Sequence, residues 1–430
     1  MANKTSSQTV AVIGLGYVGL PLALRAVEKG YQVYGVDLNK QKVEAIRKGK
    51  SPFKEDFIQE RKQLLPKINT TTNPAVIKKA DIVIVCVPTP VNEKFFPILT
   101  PVTSATEMIV KNHKPGQLVI IESTINPGIC DDVVMPIFTK SGLKEGVDFF
   151  LGHCPERIDP GNKKWNVTNI PRVLGASSSK GLAIAQKFYE SIIDAPIKLM
   201  GSIMEAEACK VVENSFRDIN IAFVNELAKS FDKMGIDVKN VIDGAATKPF
   251  AFMAHYPGRG VGGHCIPVDP YYLIERAKES GFDHKFLRVA REINNSMPNY
   301  TVEIMQDLLN NLKMPMKGTR IGVMGLSYKA NVDDLRESPS LKIIEELKKK
   351  EATIIRYDPF IKSMSDVADL KTFLKKCQAI ILVTAHQEFL EVDPEVYKKN
   401  GIKAIVDGMN CLDNKKIKKL GIRYHGIGRK

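Results

Sequence analysis

Thr9-Val10-Ala11-Val12-Ile13-Gly14-Leu15-Gly16-Tyr17-Val18-Gly19, an amphipathic segment to Gly30, and then Tyr31-Gln32-Val33-Tyr34-Gly35-Val36-Asp37 decide the fold. Thr9–Gly14 is a short apolar, β-branched run, the pattern of a parallel strand buried on both faces. A helix follows, with Gly30 as its stop. The next strand, Tyr31–Asp37, ends in an acid. Strand, glycine turn, helix, strand and acid together make one βαβ unit of the dinucleotide-binding type. The glycines let the backbone meet a pyrophosphate at a helix N-terminus. Asp37, 18 residues after Gly19, is placed to accept hydrogen bonds from ribose hydroxyls, and an acid there repels a 2′-phosphate. The reading favours NAD over NADP, with Gly14, Gly16, Tyr17, Val18, Gly19 and Asp37 as cofactor contacts. The alternative is a tight turn that holds nothing.

Outward from this unit, Asp81–Val87 and Leu118–Glu122 read as further buried strands, ending at Pro88-Thr89-Pro90 and Ser123-Thr124. Ligands of open α/β sheets sit beyond the carboxyl ends of the strands, which places Thr89 and Thr124 beside the cofactor. Phe149–Gly152 and Arg172–Gly175 add two strands, separated by the polar loop Cys154–Asn162. From Ile203 to Met234 every residue is compatible with a helix, and Gly235 stops it. So long a helix is expected to cross between domains and to pack on a second copy of itself. Lys210, Asn214 and Arg217 share one of its faces, as a ligand-facing row or as a solvated stripe. Tyr271–Ser280 and His284–Leu312 read as helices, and Lys313–Lys317 as a linker. The α/β pattern then restarts with strands at Arg320–Gly325, Ala352–Asp358, Ala379–Thr384 and Ile402–Asp407, and a helix at Ser338–Lys350. Gly322 and Gly325 do not make the tight glycine fingerprint, so a second NAD is not expected there, although another nucleotide is possible. The expected architecture is α/β: two Rossmann-like domains joined by a long central helix and a helical dimerisation region. The boundaries expected are 1–200, 201–313 and 314–430.

The 430 residues carry a net charge of +14 with 44% hydrophobic content, a soluble globular balance that favours an anionic partner. The lysines are spread along the chain rather than clustered with aromatics, which argues against nucleic acid and leaves a diphosphate ligand. Seven cysteines without regular spacing argue against a disulfide framework or a zinc site. No signal peptide and no long apolar run are evident, so a cytoplasmic protein with no membrane segment is expected.

The chemistry is carried by Gly260-Val261-Gly262-Gly263-His264-Cys265-Ile266-Pro267-Val268-Asp269-Pro270. Glycines allow close approach of a ligand, prolines stiffen the chain after the cysteine, and a thiolate held there attacks an electrophilic carbon. A lone cysteine is more often a small buried apolar residue. Beside a nicotinamide, however, a thiol suggests aldehyde oxidation through a thioester, so that alcohol-to-acid oxidation uses two NAD.

VIGLGYVGLPLA at the start, Cys-Val-Pro-Thr-Pro at 86–90, Glu-Ser-Thr at 122–124, Pro-Glu-Arg at 155–157, Lys210 with Asn214, GGHCIPVDP at 262–270 and SYKANVDDLRESP at 327–339 resemble the UDP-sugar 6-dehydrogenases. The resemblance runs from about Val10 to Arg429. Pro155–Asn162 and Lys248-Pro249-Phe250 are similar to the UDP-N-acetylhexosamine branch. It implies that Cys265 is the nucleophile, that Lys210 and Asn214 hold and polarise the reacting oxygen, and that Asp269 directs the hydrolytic water. Thr124 would touch cofactor and water, and Glu156 would support that network. Arg157, Ile158, Arg217, Tyr256 and Gly262 would line the sugar-nucleotide site with Lys329, while Lys42 and Arg336 would reach the cofactor. It also implies a homodimer on the central helix. The roles of Arg259 and Arg429 stay open. The first-choice substrate is UDP-N-acetylglucosamine, with the mannosamine and galactosamine isomers and UDP-glucose as alternatives. Two competing readings are a two-electron hydroxyacid or 6-phosphogluconate-type dehydrogenase and a non-enzymatic nucleotide-sugar sensor.

Overall fold

The computed structural model describes residues 8–53, 55–92, 96–158, 162 and 164–430. The chain gathers into two compact units, residues 1–213 with 271–280 and residues 214–270 with 281–430. The division falls within the helix Ile203–Met234.

In the first unit the strands are β1 (Thr9–Ile13), β2 (Gln32–Val36), β3 (Asn69–Thr71), β4 (Ile82–Val85), β5 (Gln117–Ile121), β6 (Phe149–His153), β7 (Arg172–Ala176) and β8 (Ile197–Leu199). They form one sheet in the order β3-β2-β1-β4-β5-β6-β7-β8. All neighbours are parallel except β6 and β7, which run antiparallel. Side chains alternate across a strand, so the apolar runs split between two layers. Val10, Val12, Ile84 and Ile120 pack on one face with Leu20 and Leu24 of the first helix. Ala11, Ile13, Val85 and Ile121 pack on the other with Val102, Ile109 and Phe138. A sheet covered on both faces needs continuous apolar strands, and this is why β1, β4 and β5 were legible. The first helix ends at Glu28. Gly30, at φ +89°, turns the chain while its N–H reaches Val27 O and that of Tyr31 reaches Ala26 O.

The second unit holds β9 (Arg320–Met324), β10 (Thr353–Tyr357), β11 (Ala379–Leu382), β12 (Ala404–Asp407) and β13 (Arg423–Gly426). Their order is β10-β9-β11-β12-β13, all parallel. Ile321, Val323, Ile381 and Val406 face Ile343, Ile344 and Leu347 of the helix Pro339–Lys349. Met305 and Leu309 of the helix Lys285–Asn311 join that layer. Met324, Ile380, Leu382 and Ile405 face Phe373, Phe389, Tyr397 and Ile417. Both α/β domains are therefore Rossmann-like, as the sequence predicted. No helix among the described residues is long and apolar enough to cross a membrane.

Candidate active site

The three fingerprint glycines have different physical reasons. A side chain at Gly14, which sits at φ +90°, would strike Cys86 O at 2.5 Å. One at Gly19 would run into Gly14 O. Gly16 has nothing within 4 Å of where its Cβ would be. The first and third glycines close the turn, and the second leaves room above it. The helix Gly19–Glu28 has no side-chain cap and no acid in its first turn, so its amide end is left for an anion.

Asp37 is tied down at the same edge. Oδ2 accepts from Leu15 N at 2.9 Å and from Lys42 Nζ at 2.6 Å, and Oδ1 accepts from Asn39 N at 2.9 Å. Burial works to raise its carboxyl, but the Lys42 ammonium and the two amides outweigh burial and hold it below the usual range. The group is thus an anion set to receive hydroxyls. Open room at Gly16, an uncapped helix end and a fixed carboxylate fit NAD. Thr89 and Thr124 lie half-buried beyond β4 and β5. Thr89 O accepts the hydroxyl of Tyr272.

A buried ionic cluster lies under the next loops. Glu156, 6% exposed, accepts Arg157 N and Ile158 N on Oε1, and Arg172 Nη1 at 2.9 Å on Oε2. Arg172 is fully buried and opens β7. Because β7 runs against β6, the start of β7 lies at the carboxyl end of β6, which brings the guanidinium beneath the loop. Glu122 accepts the Tyr189 hydroxyl. Burial pushes its carboxyl up, Arg172 opposes and Glu156 adds to the rise. Arg157 bridges Glu213 and Pro171 O, the latter at 2.7 Å. Ile158 is half-buried, and residues 159–161 of this loop lie outside the described residues. On the long helix, Glu207 sits three residues before the half-buried Lys210. It accepts Gly128 N and Cys130 N, the latter at 2.8 Å. Burial pushes its carboxyl up to about 7 against those two bonds.

In the second unit the thiol loop is locked from both sides. Cys265 is half-buried, and its carbonyl accepts Val268 N at 3.0 Å and Asp269 N at 2.8 Å. Asp269, 2% exposed, lies in the first turn of the helix Asp269–Glu279 and accepts Asn214 Nδ2 at 2.6 Å. An amide, a carboxylate and a thiol loop thus share one packed corner. Side chains at Gly262 and Gly263 would collide with Glu337 O and Tyr328, each at 2.8 Å, so both positions admit only glycine. Arg336 forks onto Asp334 at 3.0 and 2.6 Å. Ser327 Oγ donates to Lys329 O at 2.9 Å, and Lys329 is half-buried.

Other expected residues are placed less centrally. Arg217 is exposed, so the expected row along the helix divides into buried Asn214 and solvated Arg217. The Tyr256 hydroxyl donates to Asp243 at 2.9 Å. Arg259 is a strut: buried, bonded through its amide to Gly408 O at 3.1 Å and through Nη2 to Tyr328 O at 3.0 Å. Arg429 pairs with Asp237 at 2.9 Å. Sequence reading found Glu122 only as a strand end within a motif and did not find Arg172, Tyr189 or Glu207; the partners of these four lie 16 to 79 residues away.

Three family descriptions match in succession. The UDP-glucose/GDP-mannose dehydrogenase family's NAD binding domain covers residues 8–193, its central domain 204–296 and its UDP binding domain 322–414. The chain is 36% identical to a UDP-N-acetyl-D-mannosamine dehydrogenase of Pyrococcus horikoshii over 98% of this chain and 99% of the relative. It is 37% identical to a UDP-N-acetyl-D-glucosamine 6-dehydrogenase of Pseudomonas aeruginosa, over 91% and 94%. The solved UDP-D-ManNAc dehydrogenase structure from Pyrococcus horikoshii superposes with a TM-score of 0.92 at 34% identity, covering 98% of this chain and 99% of that one.

Proposed function

The chain belongs to the UDP-glucose/GDP-mannose dehydrogenase family, and we propose that it oxidises C6 of a UDP-N-acetylhexosamine to the carboxylate through a thioester on Cys265. It is an NAD-dependent enzyme. The observation that carries the thioester route is the corner in which the Asn214–Asp269 pair is fixed against the backbone of Cys265. A two-electron alcohol oxidation has no use for such a thiol.

Turning CH2OH into COO⁻ removes two hydrides and adds one water oxygen. NAD, when bound, takes the hydrides, one per molecule. Lys210 and Asn214 hold the reacting oxygen, and the Lys210 charge stabilises it as an oxyanion. Cys265 adds as thiolate to the C6 aldehyde, giving a hemithioacetal; loss of the second hydride leaves the thioester. Asp269 directs the hydrolytic water, with Thr124 in a supporting role, and hydrolysis releases the acid and returns the thiol. Gly14, Gly16, Tyr17, Val18, Gly19, Asp37, Thr89 and Thr124 hold the cofactor, with Arg336. Lys42 serves it by fixing Asp37. Arg157, Ile158, Arg217, Tyr256, Gly262 and Lys329 serve the sugar nucleotide. Glu156 keeps the Arg157–Ile158 amides in place.

The N-acetylated substrate is supported by likeness over nearly the whole chain to relatives named for the mannosamine and glucosamine sugars. A site built to bond the acetamido group leaves buried donors unpaired with a sugar that lacks it. The working form is a homodimer. Phe216 and Phe223, seven residues apart on one face of the long helix, are 45% and 53% exposed; a second copy would cover this apolar face.

Parallel initial rates with UDP-glucose and the three UDP-N-acetylhexosamines, with NADH counted per acid formed, test the reading. Two NADH per product and an N-acetylated sugar as best substrate are expected, and Cys265→Ala should form no acid. UDP-glucose as the best of the four would overturn the branch. Full turnover by Cys265→Ala would overturn the thioester.

A further inference from the structure

We propose that the amino edge of the second sheet is a docking face for an anionic lipid surface, held by charge alone. In a parallel sheet each crossover helix runs back against its strands, so helix C-termini and strand starts meet at one edge. Here that edge collects the helix ends at Lys349, Lys376, Lys399 and Lys419 and the strand starts at Arg320, Thr353, Ala379, Ala404 and Arg423. Backbone bonds fix the row: Gln378 N donates to Arg320 O at 2.8 Å, Lys403 N to Gln378 O at 2.8 Å, and Arg423 N to Lys403 O at 2.9 Å. Lysines that lie scattered in the sequence are therefore neighbours in the fold. Segments 317–320, 348–353, 375–379, 398–403 and 418–423 hold thirteen Lys and Arg and one acid, Glu351, which pairs with Lys317. That surplus of twelve compares with a net charge of +14 for all 430 residues. Every one of the thirteen except Lys350 is exposed.

Cations at helix C-termini complement the helix dipole, and the first sheet shows how much of this the dipole asks for. Its helices end at the corresponding edge, where segments 27–32, 78–82, 110–117 and 139–149 hold seven lysines and four acids. Lys114 is paired there with Asp81, and Asp148 accepts Lys144 N at 2.8 Å. The excess on the second sheet is thus not a requirement of the architecture. Its chemistry fits a broad anionic layer rather than a single seated anion. Helix C-termini point carbonyl oxygens outward, which repels a phosphate brought close, while flexible lysine stems carry their charge away from those ends. None of the five segments contains an aromatic residue on which bases could stack. Each Lys or Arg near an anionic bilayer strengthens binding about fivefold, so a face of this size needs no apolar anchor.

Co-sedimentation of the full chain with phospholipid vesicles tests this. The protein should bind phosphatidylcholine vesicles that hold about one-third phosphatidylglycerol at low salt, leave them as salt rises through about 0.3 M, and ignore pure phosphatidylcholine. The triple variant Lys398→Glu, Lys399→Glu, Lys403→Glu should bind at least about a hundredfold more weakly. A second triple, Lys375→Glu, Lys376→Glu, Lys419→Glu, should lose as much, which keeps the test open if the first one misfolds. The same charge change on exposed lysines of the first unit, Lys140→Glu, Lys187→Glu, Lys198→Glu, should leave binding within about threefold of the parent. An equal loss in that control would make net charge rather than this face responsible, and would overturn the proposal. So would no binding to the anionic vesicles, or equal binding to the neutral ones. Duplex DNA that strips the protein from the vesicles at equal phosphate concentration would assign the face to nucleic acid and overturn it as well.

Discussion

The two Rossmann-like sheets solve the same backbone problem and then part company. After β1, Gly14 sits at φ +90°, and Leu15 N reaches the acid at the end of β2, Asp37. After β9, Gly325 sits at φ +93°, and Leu326 N reaches the acid at the end of β10, Asp358, at 2.6 Å. Even the glycine amides match, Gly14 N bonding Val36 O and Gly325 N bonding Tyr357 O. What differs is the surroundings. Asp37 is half-buried beside a lysine, below an open Gly16 and an uncapped helix. Asp358 is fully buried and bonded to Ser327 N and His386 Nε2, and the helix that follows β9, Pro339–Lys349, is capped by Ser338. His386 Nδ1 accepts Asn331 N, so Nε2 carries the hydrogen and donates to Asp358. The same turn is thus a ligand seat in one sheet and a closed structural knot in the other. A strand-end acid is functional where its spare lone pairs stay accessible.

The largest expected contrast is between the acids themselves. Asp358→Ala leaves His386 and four amides, those of Leu326, Ser327, Phe360 and Ile361, without their partner and should lower stability by about 3–5 kcal/mol. Asp37→Ala should cost only about 1 kcal/mol while removing most NAD affinity. Urea unfolding and NAD titration of both variants check this; equal losses of stability would break the contrast.

Next come the glycines. Gly325→Ala puts a side chain 2.6 Å from Thr384 Cβ at a positive φ and should lower stability by about 2–4 kcal/mol. Gly16→Ala meets open space and should keep the parent melting temperature within about 2 °C. It should still raise the KM for NAD about tenfold, the effect of roughly 1.4 kcal/mol. A Gly16→Ala enzyme with unchanged KM would mean that the open space is not where the pyrophosphate lies.

A smaller effect should separate the cofactors. Asp37→Asn removes the charge that repels a 2′-phosphate, so the preference for NAD over NADP, measured as a ratio of kcat/KM, should fall about tenfold. An unaltered ratio would move the discrimination elsewhere.

This comparison also marks what the sequence could carry. Strands such as Val10–Ile13 and Ala379–Leu382 were legible because burial on both faces demands unbroken apolar runs. Asn69–Thr71 and Arg423–Gly426 were not read, being edge strands, short and polar. Asp37 was legible through its spacing from Gly19. Asp358 stood in the same grammar, an acid ending the strand that follows a glycine-terminated strand, but its role turns on His386, 28 residues on. Likewise Glu156 was visible in its loop, while the Arg172 that holds it arrives only because one strand pair runs antiparallel. Local periodicity reports burial; it does not report which distant side chain meets a buried charge.

The smallest effect concerns the partner of Asp37. Lys42→Ala removes an ion pair of 2.6 Å whose side chains are 21% and 10% exposed, and should lower stability by about 0.5–1 kcal/mol at neutral pH. The sign with pH comes from the depressed carboxyl. In the folded protein Asp37 holds its proton less tightly than the ordinary value of 3.8, so folding favours its ionised form. That contribution is complete above 3.8 and is lost as pH falls through the lower folded value. Without Lys42 the carboxyl moves back up, although the Leu15 and Asn39 amides still hold it. The gap between parent and Lys42→Ala should therefore be present at about pH 7 and shrink toward zero as pH falls well below about 4. Urea midpoints of the two proteins across that range would measure it. A gap that does not close in acid would assign the loss to the packing of the lysine stem. A gap as large as that of Asp358→Ala would erase the distinction between the open acid and the closed one.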